Sequence, residues 1–274
     1  MRADLHMHSF WSDGDEAPTA LVERAIQKGY GAVALTDHDN VSGVEEFTAC
    51  ARAHGLLTTT GVELTAFDGQ EIHILAYGVD VRAGSDFSRV LSGYQAARAE
   101  RFRKMREGLA RCGHAISDEE IQTVAKGSVS RLHLARILLA RGDVSTLKEA
   151  YVRFLYRGQP GHAEYAEKLC VDVVRDIKSC GGIAVLAHLG RFHWTEEKEE
   201  AVVKSLVDVG LDGIESFYAT HTTQEVQRYV RLASKYGLLN TLGSDYHGDG
   251  DAWHGNGFSC DELPKETARA LFGV

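Results

Sequence analysis

Proline is scarce in this chain, with three residues in 274, so no stiff proline-rich linker divides it. No apolar run is long enough to span a bilayer, and no membrane partner is expected. The opening Met1-Arg2-Ala3-Asp4-Leu5-His6 lacks the apolar core of a signal peptide, which leads to the expectation of a cytoplasmic protein. The five cysteines (Cys50, Cys112, Cys170, Cys180 and Cys260) are scattered and form no CxxC pair, which speaks against a disulfide frame or a zinc knuckle. Basic charge is also short: 30 Lys and Arg face 39 Asp and Glu, a formal net charge of −9. Such a surface repels a long nucleic acid on average, although a local basic pocket can still take a small anion.

The rest is ordinary for a water-soluble chain, 44% apolar and 25% charged, with length for one large domain or a barrel carrying an insertion. Thirteen histidines are the unusual number, and their placement carries the argument.

Short apolar runs alternate with amphipathic helical spacing through the first part. Strands are expected at Ala3 to Met7, Ala32 to Leu35, Leu57 to Val62 and Ile72 to Tyr77, with helices at Thr19 to Lys28 and Val44 to His54. The pattern changes between Phe87 and Glu167. There helical segments (Tyr94 to Arg111, Ser117 to Val124, Leu132 to Arg141, Thr146 to Leu155) follow one another without a strand. Alternation then resumes, with strands at Ile183 to Ala187, Gly213 to Phe217 and Leu239 to Leu242 separated by helices. The expectation is an α/β fold of βα units with a largely parallel sheet, formed by residues 1–86 and 168–274, and a helical insertion over 87–167.

Histidines and acids recur at the ends of those strands. His6 and His8 alternate on the first and point the same way. Asp13 follows in the next loop. The second strand runs into Asp37-His38-Asp39, a costly trio unless solvated or coordinated. Glu63 follows the third strand, His73 lies inside the fourth, His188 closes Ala184-Val185-Leu186-Ala187, and Asp245 and His247 follow the last. In a βα barrel those ends converge on one face. Nine candidate ligands (His6, His8, Asp13, His38, Glu63, His73, His188, Asp245, His247) exceed what one tetrahedral ion needs. Two or three divalent ions sharing a bridging carboxylate follow, and a donor set of imidazole and carboxylate without thiolate suits Mn²⁺, Fe²⁺ or Zn²⁺.

His6-Met7-His8-Ser9, Ser12-Asp13-Gly14, Thr36-Asp37-His38-Asp39, Gly61-Val62-Glu63, Ala187-His188 and Gly243-Ser244-Asp245-Tyr246-His247 together closely resemble the PHP (polymerase and histidinol phosphatase) family. The resemblance implies a distorted (βα)7 TIM-like barrel, and the insertion places the chain near the branch acting on nucleotides and cyclic phosphates. It implies three ions, with manganese favoured. His6, His8, Glu63 and Asp245 would hold the first. Glu63 would bridge to a second held by His73 and His188, and Asp13, His38 and His247 would hold the third. Asp37 and Asp39 match positions that support the site without ligating. Leu189 stands where the family often has proline after the histidine, in the loop that carries Arg191.

The expected function is hydrolysis of a small phosphate ester (a nucleotide monophosphate, a 3′,5′-bisphosphate or a cyclic phosphodiester) by a metal-bridging hydroxide attacking phosphorus. Glu63, Asp245 and His247 are the catalytic candidates. Arg131 and His133 match a segment that closes over substrate in similar enzymes, and Arg157, Arg191 and His221 are further phosphate contacts. His247 or His221 would protonate the leaving group. His54, His114, His162, His193 and His254 are read as surface or structural. In the basic run around Arg98 and Arg101, solvation is favoured over a second anion contact. The alternatives are trimming of short RNA or DNA ends, C–N bond hydrolysis, and a metal-bearing module without catalysis. Oligomeric state is left open.

Overall fold

The computed structural model describes residues 1–164, 168–248 and 262–274. Its first strands, β1 (Ala3–Asp4), β2 (Ala32–Val33) and β3 (Leu57–Thr58), form a parallel three-stranded sheet. They are linked through helices α1 (Pro18–Gln27) and α2 (Val44–Ala53). A second sheet has the order β4 (Gly61–Phe67), β5 (Glu71–Tyr77), β6 (Ile183–Leu186), β7 (Gly213–Tyr218) and β8 (Leu239–Gly243).

The expected Leu57 to Val62 strand is split between the two sheets, and the second sheet is mixed. β4 and β5 pair antiparallel from Gly61↔Tyr77 to Phe67↔Glu71, and β5 pairs antiparallel with β6. Only Asp68-Gly69-Gln70 joins β4 to β5. A parallel crossover needs roughly a dozen residues or more, so this connection allows only a hairpin. The parallel pattern returns in β6, β7 and β8.

Leu5 N donates to Leu242 O at 3.2 Å, beside β8. His38 pairs in parallel with Glu63, beside β4. The two sheets therefore share one interior. Strand alternation sorts the side chains on either side of it. Val62, Leu64, Ala66, Ile72, Ile74 and Ala76 pack outward against a cluster that includes Val173, Ile177 and Val203 from helices α7 (Cys170–Ser179) and α8 (Glu196–Val207). Leu75, Tyr77, Val185 and Ala187 point the other way, to Leu5, Ala34 and Leu242. Glu63, Glu71 and His73 share that inward parity. The period-two pattern that buries the apolar face thus delivers the chemistry-bearing residues to the interior.

The run without strands is helical as expected. It comprises α3 (Asp86–Arg111), α4 (Asp118–Val124), α5 (Arg131–Ala140), α6 (Leu147–Ala150) and a π-turn at Tyr151–Leu155. It has its own apolar cluster, with Phe102, Met105, Leu109, Leu134 and Leu138 among its members. Arg98 and Arg101 on α3 are not solvated. Arg98 is 8% exposed, and its Nε donates to Asp39 Oδ2 at 2.8 Å while Nη2 donates to Thr65 Oγ1 at 2.9 Å. Arg103 and Lys104, on the other side of the helix, are exposed. Helix α9 (Thr223–Tyr236) was expected. The short α10 (Lys265–Phe272), which packs beside β8 through Thr267 Oγ1 on Asn240 O, was not. No described helix is long and apolar enough to cross a membrane.

The buried Arg98–Asp39 pair fastens the helical run to the strands. Arg98→Ala leaves the buried Asp39 carboxylate with Thr65 but without the guanidinium, and breaking a buried pair in this way costs about 3–5 kcal/mol. Urea unfolding of this variant should show a loss of that order; a loss below about 1 kcal/mol would contradict the anchoring role.

Candidate metal centre

Glu63 lies inside β4 rather than just past a strand, fully buried, and imidazoles approach both its oxygens. His73 Nδ1 is 2.9 Å, His188 Nε2 3.0 Å and His6 Nε2 3.4 Å from Oε1. His38 Nδ1 is 2.9 Å and His8 Nε2 3.2 Å from Oε2. Asp245 Oδ1 sits 3.0 Å from His8 Nε2 and 3.3 Å from His6 Nε2. On the far side of His38, Asp13 Oδ1 lies 3.8 Å from its Nε2 and 3.3 Å from His247 Nε2. All nine expected residues are therefore brought together.

Their donor atoms fall into three groups, each within 4.8 Å: His6, His8, Glu63 and Asp245; His8, Asp13, His38 and His247; and His38, Glu63 and His73. His188 joins the third group through its Nε2, 3.3 Å from His73 Nδ1. His38 reaches two of the groups, one through each ring nitrogen.

The residues fit divalent ions on their own geometry. His6 Nε2 and His8 Nε2 face each other at 3.1 Å, a contact in which at most one nitrogen carries the bonding proton. Asp13 Oδ1 and Glu63 Oε2 are buried, and the imidazole nitrogens beside them, at 3.3 Å and 2.9 Å, are not aligned as hydrogen-bond donors. Orphaned acceptors among converging imidazoles would be costly in a merely structural core. Backbone strain points the same way: His188 (φ 29°) and Asp245 (φ 55°) are held at positive φ, a cost concentrated at functional sites.

Charge is arranged accordingly. Burial opposes ionisation of Glu63, but His73, His38 and His6 hold it well below the usual carboxylate range. Burial likewise opposes Asp13, and His38 and His247 bring it well below that range. Burial works against protonated His8 and His73, yet Asp245 and Glu63 raise His8 to about 10, and Glu63 raises His73 to about 9.

A further ring of residues aims these donors. Glu215 Oε1 lies 2.9 Å from His6 Nδ1, which turns Nε2 towards the cluster, and its Oε2 accepts from His188 N at 2.9 Å. Sequence reasoning missed it, although a glutamate inside the apolar run Gly213-Ile214-Glu215 was a usable signal. Gly243 makes the approach possible, because a Cβ there would sit 2.2 Å from His6 Cβ and 2.5 Å from Glu215 Oε1. Asp37 accepts from Ser9 and Ser12, and Asp39 from Thr65 and Arg98, so both fix loops beside the cluster. Tyr218 Oη, also missed, donates to Asp245 Oδ2 at 2.9 Å.

A cavity of about 300 Å³ opens onto the cluster at Asp13, His38, His73, His188, Asp245 and His247. Arg191 lines it, with Nη1 3.1 Å from Asp245 Oδ2; Arg131 and Arg101 line it too, both paired with Glu71. Phe102, Met105, Leu132, Tyr151 and Tyr156 supply an apolar and aromatic wall.

The other expected phosphate contacts do not line the cavity. His133 is buried as a helix cap, its Nδ1 accepting from Ser130 N at 3.0 Å, and burial lowers it to about 4. Arg157 is exposed and pairs with Glu164 at 3.3 Å. His221 is occupied by backbone: Nδ1 lies 3.1 Å from Ser216 O, and Nε2 accepts from Gly190 N. His254 lies outside the described residues. Leu189 is buried and opens a single helical turn that carries Arg191 to the cavity, so the family's usual proline is not needed for that.

The model of the PHP domain matches residues 4–201. This chain belongs to the PHP family. It is 32% identical over 89% of its length to a 5′-3′ exoribonuclease of Haemophilus influenzae, 89% of which is covered. It is 31% identical over 95% of its length to a 3′,5′-nucleoside bisphosphate phosphatase of Chromobacterium violaceum, with 92% of that protein covered. Among solved structures, an amidohydrolase from Chromobacterium violaceum with bound sulfate and no metal superposes with a TM-score of 0.87 at 30% identity, over 97% of this chain and 93% of that one.

If the PHP cluster takes cations in place of the protons on His6, His8 and His73, metal binding must expel those protons. Calorimetric titration of EDTA-treated protein with Mn²⁺ at pH 7 to 8 should show a heat that varies with the buffer's ionisation enthalpy as imidazole protons are released. A heat independent of buffer would contradict this protonation pattern.

Proposed function

We propose that this PHP-family phosphoesterase hydrolyses a small phosphate ester carrying a second anionic group, with a nucleoside 3′,5′-bisphosphate as the best fit. The observation that carries the reading is one cavity lined by arginines at two places. Arg191 stands beside the donor cluster, and Arg101 and Arg131 stand together on Glu71. The aromatic side chains Tyr151 and Tyr156 give a nucleobase a wall to pack on. The bisphosphate phosphatase name of one relative and the sulfate bound in the solved structure agree with it.

In this reading the two sheets make one distorted (βα)7 barrel, and residues 87–167 act as a cap over its mouth. His6, His8, Glu63 and Asp245 would hold one ion, Glu63, His73 and His188 a second, and Asp13, His38 and His247 a third, with manganese favoured over iron or zinc. When bound, the ions supply a nucleophile at neutral pH and neutralise charge on the phosphoryl group. The protein's own groups do the rest. Glu215 and Tyr218 fix His6 and Asp245 so that little reorganisation is needed. Arg191 donates to a non-bridging phosphoryl oxygen, and Arg101 and Arg131 fix the remote phosphate. Neither histidine considered for the leaving oxygen suits that role: His247 would hold an ion through Nε2 while its Nδ1 lies 2.8 Å from the Asp245 carbonyl oxygen, and His221 is engaged by backbone groups.

The second reading, trimming of short RNA ends, is favoured by the exoribonuclease relative, since a terminal nucleotide also presents two phosphates. A phosphate-release screen across monophosphates, bisphosphates, cyclic phosphates and short oligonucleotides separates the two. A single turnover in heavy-oxygen water should place the label in phosphate; label only in the alcohol product would reject attack at phosphorus. Asp245→Asn should lower kcat by about a hundredfold or more while the protein stays folded, because it weakens a donor shared with His6 and His8. Full activity in that variant would remove Asp245 from the mechanism.

A further inference from the structure

A single carboxylate ties the helical run to the strand that carries His73. Glu71 opens β5 two residues before His73 and therefore faces the same interior. Its Oε1 accepts from Arg131 Nη2 at 2.9 Å and lies 3.4 Å from His73 Nε2. Its Oε2 lies 2.7 Å from Arg101 Nη2. Arg101 belongs to α3 and is held from behind by its Nε, which donates to Ala163 O at 3.0 Å. Arg131 opens α5. Guanidinium groups from two separate helices thus converge on one acid at the cavity wall, beside the donor cluster. A forked guanidinium pair suits phosphate as well as it suits carboxylate.

We infer that Glu71 is a specificity-determining residue, occupying the Arg101–Arg131 pair until the remote phosphate of a doubly anionic ester displaces it. The inference rests on the phosphoester reading above and deepens it. An ester with a single phosphate leaves the pair closed on Glu71. An ester with two exchanges the carboxylate for a phosphate at the same guanidinium groups, so its advantage is the difference between the two contacts. Glu71 therefore keeps the arginines aimed in the absence of substrate and tempers how tightly a second anion is held.

The test compares a nucleoside 3′,5′-bisphosphate with the corresponding 5′-monophosphate on the manganese-loaded full chain. KM is read where the ester turns over and a calorimetric Kd where it does not. E71Q keeps a hydrogen-bond acceptor towards His73 but removes the charge. It should favour the bisphosphate further, raising its preference over the monophosphate roughly tenfold, the weight of one charge-assisted contact. E71D, which keeps the charge, should stay near the wild-type preference. R131Q should lower the preference about tenfold, and this arm decides the matter if E71Q does not fold. A purely structural role for Glu71 would move both constants together. An unchanged preference in E71Q or in R131Q therefore overturns the proposal. Absence of turnover on every ester would sink the phosphoester reading alone, because the calorimetric ratio still reports on Glu71.

Discussion

The structure depends on one buried carboxylate. Glu63 is inaccessible to solvent, yet it stays ionised because burial, which alone would protonate it, is outweighed by His73, His38 and His6. Those imidazoles come from three separate stretches of chain, and with His8 and His188 they approach its two oxygens within 3.4 Å. Gathering such groups in a core without cations between them would leave acceptors unpaired and ring nitrogens facing one another. The fold makes chemical sense as a frame that holds divalent ions, with the strands as its rigid members.

Several features of the frame follow from that demand. Inward parity on β4 and β5 aims Glu63, Glu71 and His73 at the interior while their neighbours build the apolar layer under the helices. Gly243 leaves space for His6 and Glu215 to meet. His188 and Asp245 accept positive φ so that their side chains turn inwards. The helical run is moored by paired charges, Arg98 on Asp39 and Arg101 and Arg131 on Glu71, which brings its arginines and tyrosines to the same cavity. Those arginines and tyrosines and the donor cluster therefore line one cavity.

Much of this was legible in the sequence, for a physical reason. Ionisable residues directly after buried apolar runs are expensive, so His38, His188 and Asp245 announced themselves. The helical run was legible from the amphipathic spacing of α3 and the apolar face of α5. What stayed hidden depends on pairing partners distant in sequence. The β4–β5 hairpin was masked by the surrounding βα rhythm, although the short Asp68-Gly69-Gln70 link held the clue. Solvation was the favoured reading for Arg98 and Arg101, because helical spacing does not say which face meets an acid from another strand. His133 and His221 looked available for substrate, and both are engaged by backbone groups. Glu215 was passed over inside an apolar strand, where its burial was itself the signal.

The central claim is that the nine gathered side chains enclose cations. Anomalous diffraction from crystals grown with manganese tests it most directly. Three peaks are expected: one among His6, His8, Glu63 and Asp245, one at Glu63, His73 and His188, and one at Asp13, His38 and His247. A map without anomalous density at those residues, with the imidazoles still bonded to one another and to Glu63, would contradict it.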